Sequence, residues 1–360
     1  IGPGSVLIPT HRPRMVRCGN ALLGRVVDGM GAPIDNGPPI AWEVEMPMLA
    51  DPPRPMARER ILDPISTGVR AIDACMTCGK GQRIGIMAGS GVGKSKLIGM
   101  IARNTSADIN VIALIGERGR EVRDFVEADL GPEGLKRSVV VVATSDEPAL
   151  VRMSGAYTAT TVAEYFRAQG ADVMLIMDSV TRFAMAQREV GLAIGEPPAT
   201  RGYPPSMYAL LPKLLERAGN DDRGSITGFY AVLVEADDLN DPVGDTARSI
   251  LDGHIALSRD LASRNHYPAI DVLESISRAM FDVTNEQHRM LAGRLRRHLA
   301  TYRDAEDLIN IGAYVAGSNP EIDAAIRVVP ALRRFLQQGL YEKASLENIE
   351  ELLREALRGV

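Results

Sequence analysis

Ala88-Gly89-Ser90-Gly91-Val92-Gly93-Lys94-Ser95 fits the phosphate-binding loop pattern, with Ala88 standing where the pattern has its first glycine. Each residue type in it has a physical task. Gly89, Gly91 and Gly93 let backbone N–H groups, including those of Ser90 and Val92, converge on phosphate oxygens; Lys94 brings a point charge to the β/γ-phosphates; the Ser95 hydroxyl can ligate Mg²⁺. A glycine-rich turn with an incidental Lys-Ser would look the same in isolation. The surroundings decide between them, because the apolar run Arg83–Met87 precedes the loop and a helical pattern, Lys94 to Arg103, follows it. A loop between a buried strand and a helix N-terminus is the setting that phosphate binding requires.

Outward from the loop, short apolar runs alternate with longer helical patterns. Val111–Ile115, Ser138–Val142, Val173–Met177 and Ala231–Val234 join Arg83–Met87 as strands buried on both faces, the mark of a mainly parallel α/β sheet flanked by helices. Helices are expected at Ala149–Gln169 and Pro212–Arg217. Beyond Asn285 no strand pattern remains. Asn319-Pro320 reads as a cap and first turn, with Ile322, Ile326 and Val329 on one face behind it, and Ile349, Leu352, Leu353 and Leu357 repeat the pattern, so residues 286–360 read as a small helical domain. Upstream, Leu22 to about Pro64 is dense in Gly and Pro, which favours turns and extended linker, with Trp42 as a packing residue.

Composition narrows the function. The 360 residues carry 41 Lys+Arg against 46 Asp+Glu, a net charge of −5, which argues against a nucleic-acid binder held by bulk charge. No apolar run reaches the ~18 residues of a membrane span. Cys18, Cys75 and Cys78 are too few for a disulfide framework, and Cys75-x-x-Cys78 has no second Cys/His pair beside it, so structural thiols in a reducing cytoplasm are expected.

The catalytic candidates lie at strand ends. Asp178 closes the Val173–Met177 run and can hold hydrated Mg²⁺, although a helix-capping role would also put an Asp there. Glu117, in Gly116–Glu121 after the Val111–Ile115 strand, can polarise an attacking water or belong only to its own charged cluster. Phosphoryl transfer needs further positive charge as the bond loosens, and Arg118, Arg182 and Arg278 are candidates that spacing alone does not rank.

These residues resemble the α/β-subunit family of rotary ATPases. The likeness is carried by Ala88–Ser95, Gly116–Glu121, Met177-Asp178 and above all Pro268–Ser277, which looks like that family's signature segment. Gly195–Ser206, Leu214–Gly219 and Arg248–His254 resemble the type III protein-export ATPases, and Glu306–Tyr314 with Gly317–Asp323 leans toward the flagellar export ATPase over its virulence relative. The resemblance spans roughly residues 15 to 345. It implies a RecA-like P-loop NTPase divided into a remnant of an N-terminal β-barrel (1–14), a nucleotide-binding ATPase domain (15–285) and a C-terminal helical domain (286–360).

Carried over position by position, the resemblance makes Lys94 the phosphate-binding lysine, Ser95 and Asp178 the Mg²⁺ groups and Glu117 the catalytic carboxylate. Arg118 and Arg182 line the same pocket, Arg278 reaches into a neighbour's site, and Tyr267 stacks on adenine. Leu340 and Leu346 fall nearest to the second adenine wall, and Ala236–Pro242 resembles a loop facing the ring's channel and central stalk. ATP/ADP and Mg²⁺ are the implied ligands. The implied partners are a homohexamer, a central-stalk protein, an ATPase regulator, export chaperones and cargo, and the export gate, at the cytoplasmic base of an export apparatus and peripheral to the membrane, without nucleic acid. With only a final barrel strand at its start, this chain is expected to be largely monomeric.

Four alternatives stand beside flagellar export: a virulence-secretion ATPase, a catalytic subunit of a rotary ATPase, a ring-shaped RNA translocase and a non-catalytic nucleotide-binding regulator. Gly317–Pro320 in place of the rotary subunits' acidic lever disfavours the second. The acidic balance and 4% aromatics disfavour the third, and the presence of Glu117 the fourth.

Overall fold

A computed structural model describes residues 13–234 and 241–358 together with residues 4, 6 and 8. Most of the Ser5–Pro9 and Ala236–Pro242 segments lies outside the described residues.

The central sheet contains eight strands in one path: β1 (Val26–Asp28), β2 (Arg83–Ala88), β3 (Ile109–Ile115), β4 (Ser138–Ala143), β5 (Asp172–Asp178), β6 (Ser225–Leu233), β7 (Gly253–Leu257) and β8 (Ile270–Ser277). Their order across the sheet is β8-β7-β2-β6-β5-β3-β4-β1, and the short strand Gly219–Asn220 hangs on β6. All neighbours on the path run parallel except the edge pair β7 and β8, which is antiparallel with a register shift between His254 and Ala256. The expected mainly parallel α/β sheet is therefore present.

Period-two alternation explains why the strand runs are apolar throughout. On β3, Ile112 and Leu114 face one core while Val111, Ala113 and Ile115 face the other, and β5 divides Met174 and Ile176 from Val173, Leu175 and Met177 in the same way. One core is closed by α1 (Lys94–Asn104), the other by α2 (Ala149–Ala168) and α3 (Val180–Ala193). The C-terminal helices α4 (Glu286–Asn310), α5 (Pro320–Leu336) and α6 (Ile349–Ala356) bury Leu291, Leu295, Val328, Leu332 and Leu353 in the α1 core, so they share their apolar interior with the sheet. Asn285 caps α4 by accepting from His288 N at 2.8 Å, and Asn319 caps α5 ahead of Pro320. Ile322 and Ile326 flank the buried stripe of α5, which is centred on Ala325, Val328 and Leu332.

Three local expectations change. The Gly/Pro-rich stretch after Leu22 is more than linker: β1 joins the sheet beside β4, and Val44–Pro47 pairs antiparallel with Met15–Cys18. Short strands among turn residues lack the run length that signals them. The helix expected from Pro212 starts at Pro205, which takes the first-turn place that suits proline, and Pro212 sits inside it. β6 begins at Ser225 because Thr227 and Gly228, whose missing Cβ leaves room for the Tyr230 ring, interrupt the apolar run without interrupting the ladder. The three cysteines are free and buried, and burial pushes the Cys75 thiol up to about 12, as structural thiols require. Among the described residues no helix is long and apolar enough to cross a membrane.

Leu175 sits on β5 near the middle of the sheet with no exposed surface. Leu175→Ala is expected to cost about 2–5 kcal/mol, read as a fall in the urea midpoint at unchanged slope. A change below about 0.5 kcal/mol, the range of surface substitutions, would show that the two cores are not packed as described.

Candidate functional site

Parallel strands deliver their C-terminal ends to one side of the sheet, where an open α/β sheet offers its ligand crevice. The ends of β2, β3 and β5 lead into the phosphate-loop pattern, Gly116-Glu117 and Asp178. In the loop, Gly91 and Gly93 hold φ of +78° and +90°, the left-handed region that side chains avoid. A Cβ on Gly93 would also stand 3.4 Å from the Tyr267 ring. Val92 is buried beneath the loop and anchors it. Gly93 stands at the N-cap of α1, and no side chain among the described residues caps the helix's first N–H groups, which leaves them for an anion.

Lys94 ties these strand ends together. Its ammonium pairs with the Asp178 carboxylate, which is almost wholly buried, and lies 3.5 Å from Glu117 Oε1. Glu117 therefore faces the loop, while the exposed members of its cluster, Arg118 and Glu121, pair with each other at 3.3 Å. Burial first, and the Asp178 charge second, push the Glu117 carboxyl up to about 7, with Lys94 pulling the other way. A carboxyl that gains and loses its proton near neutrality suits general-base work.

The cleft over this trio holds about 940 Å³ and is lined by the loop glycines, Ser95, Glu117, Arg118, Arg182 and further cations. Arg182 is positioned by Gly116: a Cβ there would come within 2.8 Å of the arginine's stem, so the glycine is what lets the chain pass. The Arg182 Nε is buried and makes no hydrogen bond among the described residues. Such an orphaned donor in a cationic cleft fits an anionic ligand. Arg188, Arg201 and Tyr203 also line the cleft, with the Arg188 guanidinium 5.0 Å from the centre of the Tyr203 ring. Arg201 and Tyr203 belong to Gly195–Ser206, a segment the family resemblance singles out, whereas Arg188 lies on α3; no spacing rule assigns any of the three a role.

Two expected site residues lie elsewhere. Tyr267 is outside the cleft lining and rests against Gly93, on the side where Gln338 N donates to its carbonyl at 3.0 Å. Arg278 follows the edge strand β8, is exposed, and borders a separate cavity of about 420 Å³ with Asp245, Arg248 and His254. Leu340 and Leu346 pack partly buried against the α1 core.

The donor set suits Mg²⁺. Asp178 and Glu117 are two hard carboxylates whose mutual repulsion is offset by Lys94, and Ser95 lines the same cleft. Mg²⁺ retains several waters and asks for one or two carboxylates beside phosphate oxygens rather than a full protein cage. No cluster of three or more His, Cys, Asp or Glu side chains that could hold a metal occurs among the described residues.

Residues 68–277 match the ATP synthase alpha/beta family, nucleotide-binding domain, and residues 284–355 match the T3SS EscN ATPase C-terminal domain. The chain is 56% identical over 353 residues to the flagellum-specific ATP synthase of Bacillus subtilis, covering 96% of this chain and 79% of that protein. It is 54% identical over 347 residues to the type 3 secretion system ATPase of Xanthomonas euvesicatoria, covering 96% and 78%. Among solved structures, the assembled ATPase EscN in complex with its central stalk EscO, from enteropathogenic E. coli, superposes with a TM-score of 0.90 at 51% identity, covering 96% of this chain and 83% of that one.

If the Asp178 charge helps to raise Glu117, Asp178→Asn will move the Glu117 titration midpoint below about 7, toward the ordinary carboxylate range. Carboxyl carbon NMR of the protein reads this directly, and an unmoved midpoint would contradict the placement of the two groups.

Proposed function

Because the chain belongs to the type III export branch of the ATP synthase alpha/beta family, and is a P-loop ATPase whose hydrolysis of ATP energises type III protein export, we propose the following division of labour in its cleft. The Gly89–Gly93 backbone and the open N-terminus of α1 cradle the phosphates. Lys94 then exchanges its carboxylate partners for β/γ-phosphate oxygens. Ser95 and Asp178 hold Mg²⁺, which when bound neutralises charge on the β- and γ-phosphates. Glu117, relieved of Lys94, accepts a proton from the attacking water, and the Arg118 and Arg182 guanidiniums meet the charge that spreads over the γ-phosphoryl group as its bond loosens. Tyr267, beside the loop, takes the adenine face. One observation carries this reading: a loop lysine paired with two strand-end carboxylates, one of them poised near neutrality, at a cleft that Arg182 also lines with an Nε that makes no hydrogen bond among the described residues.

Arg278 cannot serve its own cleft from the outer edge of the sheet, which supports its delivery by a neighbouring protomer. We infer a homohexamer with one such arginine at each seam, working with a central stalk, a regulator, chaperones and cargo, and an export gate on the cytoplasmic side of the membrane. The relative that is solved assembled, with its stalk, supports this arrangement. Within type III export the flagellar apparatus is our assignment, supported by Glu306–Tyr314 and Gly317–Asp323 and by the 56%-identical flagellar relative.

Glu117→Gln is expected to abolish hydrolysis while ATP affinity, measured by equilibrium titration, stays within about threefold; loss of binding would make the residue structural. Since the carboxylate is the base, kcat/KM for MgATP should hold above about pH 7 and fall tenfold per unit below it. A flat profile between pH 6 and 8 would remove Glu117 from that role. Arg278→Ala should cost on the order of 10³ in turnover. Mixing it with Lys94→Ala protein should restore part of the activity, and a strictly inactive mixture would exclude action across a seam.

A further inference from the structure

Gln338 is 6% exposed, yet it is a polar side chain far from the phosphate loop in sequence. Its amide is fully used. Nε2 donates to the carbonyls of Gly68 and Glu342, each at 2.8 Å, and Oε1 accepts from Arg70 N at 2.7 Å. Its backbone N–H donates to the Tyr267 carbonyl at 3.0 Å. One residue thus joins three segments: the turn before the Arg70–Cys75 helix, the strap 337–342 that leaves α5, and the Tyr267 segment.

The surroundings make this junction stiff. Arg70 reinforces the strap through Phe335 O and Gln337 O, each at 2.7 Å, and through Glu342 at 2.8 Å. Gly68, at φ +70°, has no room for a Cβ because Asn104, the last residue of α1, lies 2.3 Å from where it would be. Arg103, one residue earlier, packs its guanidinium over the Tyr341 ring, 5.0 Å from the centre. The far end of the helix that opens with the phosphate loop is therefore locked to the strap, and Gln338 locks the strap to Tyr267.

We propose that Gln338 is a positioning residue for the base of the nucleotide, setting where Tyr267 stands relative to the phosphate loop and so setting affinity for the nucleoside without touching the phosphates. The inference rests on the reading that Tyr267 takes the adenine face. Gln338→Glu turns two N–H donors into carboxylate oxygen against two carbonyls while keeping the shape, which leaves buried acceptors facing one another. Gln338→Asn withdraws the same donors without adding charge, and serves if the first variant fails to fold.

The test is equilibrium binding of two probes to the full chain with Mg²⁺: ATP, and inorganic tripolyphosphate, which has no base. Either Gln338 variant is expected to weaken ATP about tenfold, the scale of a lost ring contact with the base, through displacement of Tyr267, and to leave tripolyphosphate within about twofold. Combining either with Tyr267→Ala should add nothing to the loss from Tyr267→Ala alone, since both act through the same ring. Parallel weakening of both probes would reduce Gln338 to a structural residue and overturn the proposal, as would unchanged ATP affinity. If Tyr267→Ala weakens ATP and the Gln338 variants do not, the inference fails alone; if Tyr267→Ala leaves ATP affinity unchanged, the adenine reading fails and takes the inference with it.

Discussion

The Lys94 ammonium, held by Asp178 and close to Glu117, is the contact on which the cleft depends. Two acids brought together at the ends of strands that share a ladder repel each other, and burial sharpens the repulsion. The lysine makes the pairing tolerable in the absence of nucleotide. On the proposed reading a triphosphate competes for the same ammonium, and its binding would release Glu117 and Asp178 for the water and for Mg²⁺. On that reading the ion pair and the catalytic arrangement are alternatives for the same three side chains, and Glu117 is raised by its burial first and by the Asp178 charge second.

The sheet builds this trio from order alone. With β6 inserted between β2 and β5, the loop after β2 must reach across one strand to meet Asp178, and α1 begins where that reach ends. The glycines at 91, 93 and 116 are spent on this crossing: two turn the chain through left-handed conformations, and the third makes room for Arg182. The C-terminal helices lie on the α1 side of the sheet and share its core, and the end of α1 is tied to the strap where Arg103 donates to the Leu340 carbonyl and Asn104 to that of Glu342.

Much of this was legible beforehand because the relevant signals are local. The loop pattern, the apolar strands that flank it and the strand-end positions of Asp178 and Glu117 are each contained in a few consecutive residues, and the structure brings them to one cleft. What stayed hidden is non-local or weakly patterned. β1, three residues among turns, is a strand only because β4 lies beside it. The start of the Pro205–Leu215 helix was obscured by two prolines that suit a first turn equally well on paper. The separation of Arg278 from its own cleft, and the junction at Gln338, depend on which segments meet in space, and no spacing in the chain records that. The family resemblance implies the arginine's role, and its place after the edge strand beside a separate cavity supports the proposed delivery by a second protomer.

A crystal structure of the chain with Mg²⁺ and a non-hydrolysable ATP analogue tests the central claim most directly. The account predicts the γ-phosphate within hydrogen-bond distance of Lys94 Nζ and of the Gly91–Gly93 amides, with Lys94 parted from Glu117. A nucleotide bound elsewhere, with Lys94 still paired to both carboxylates at saturating analogue, would contradict it.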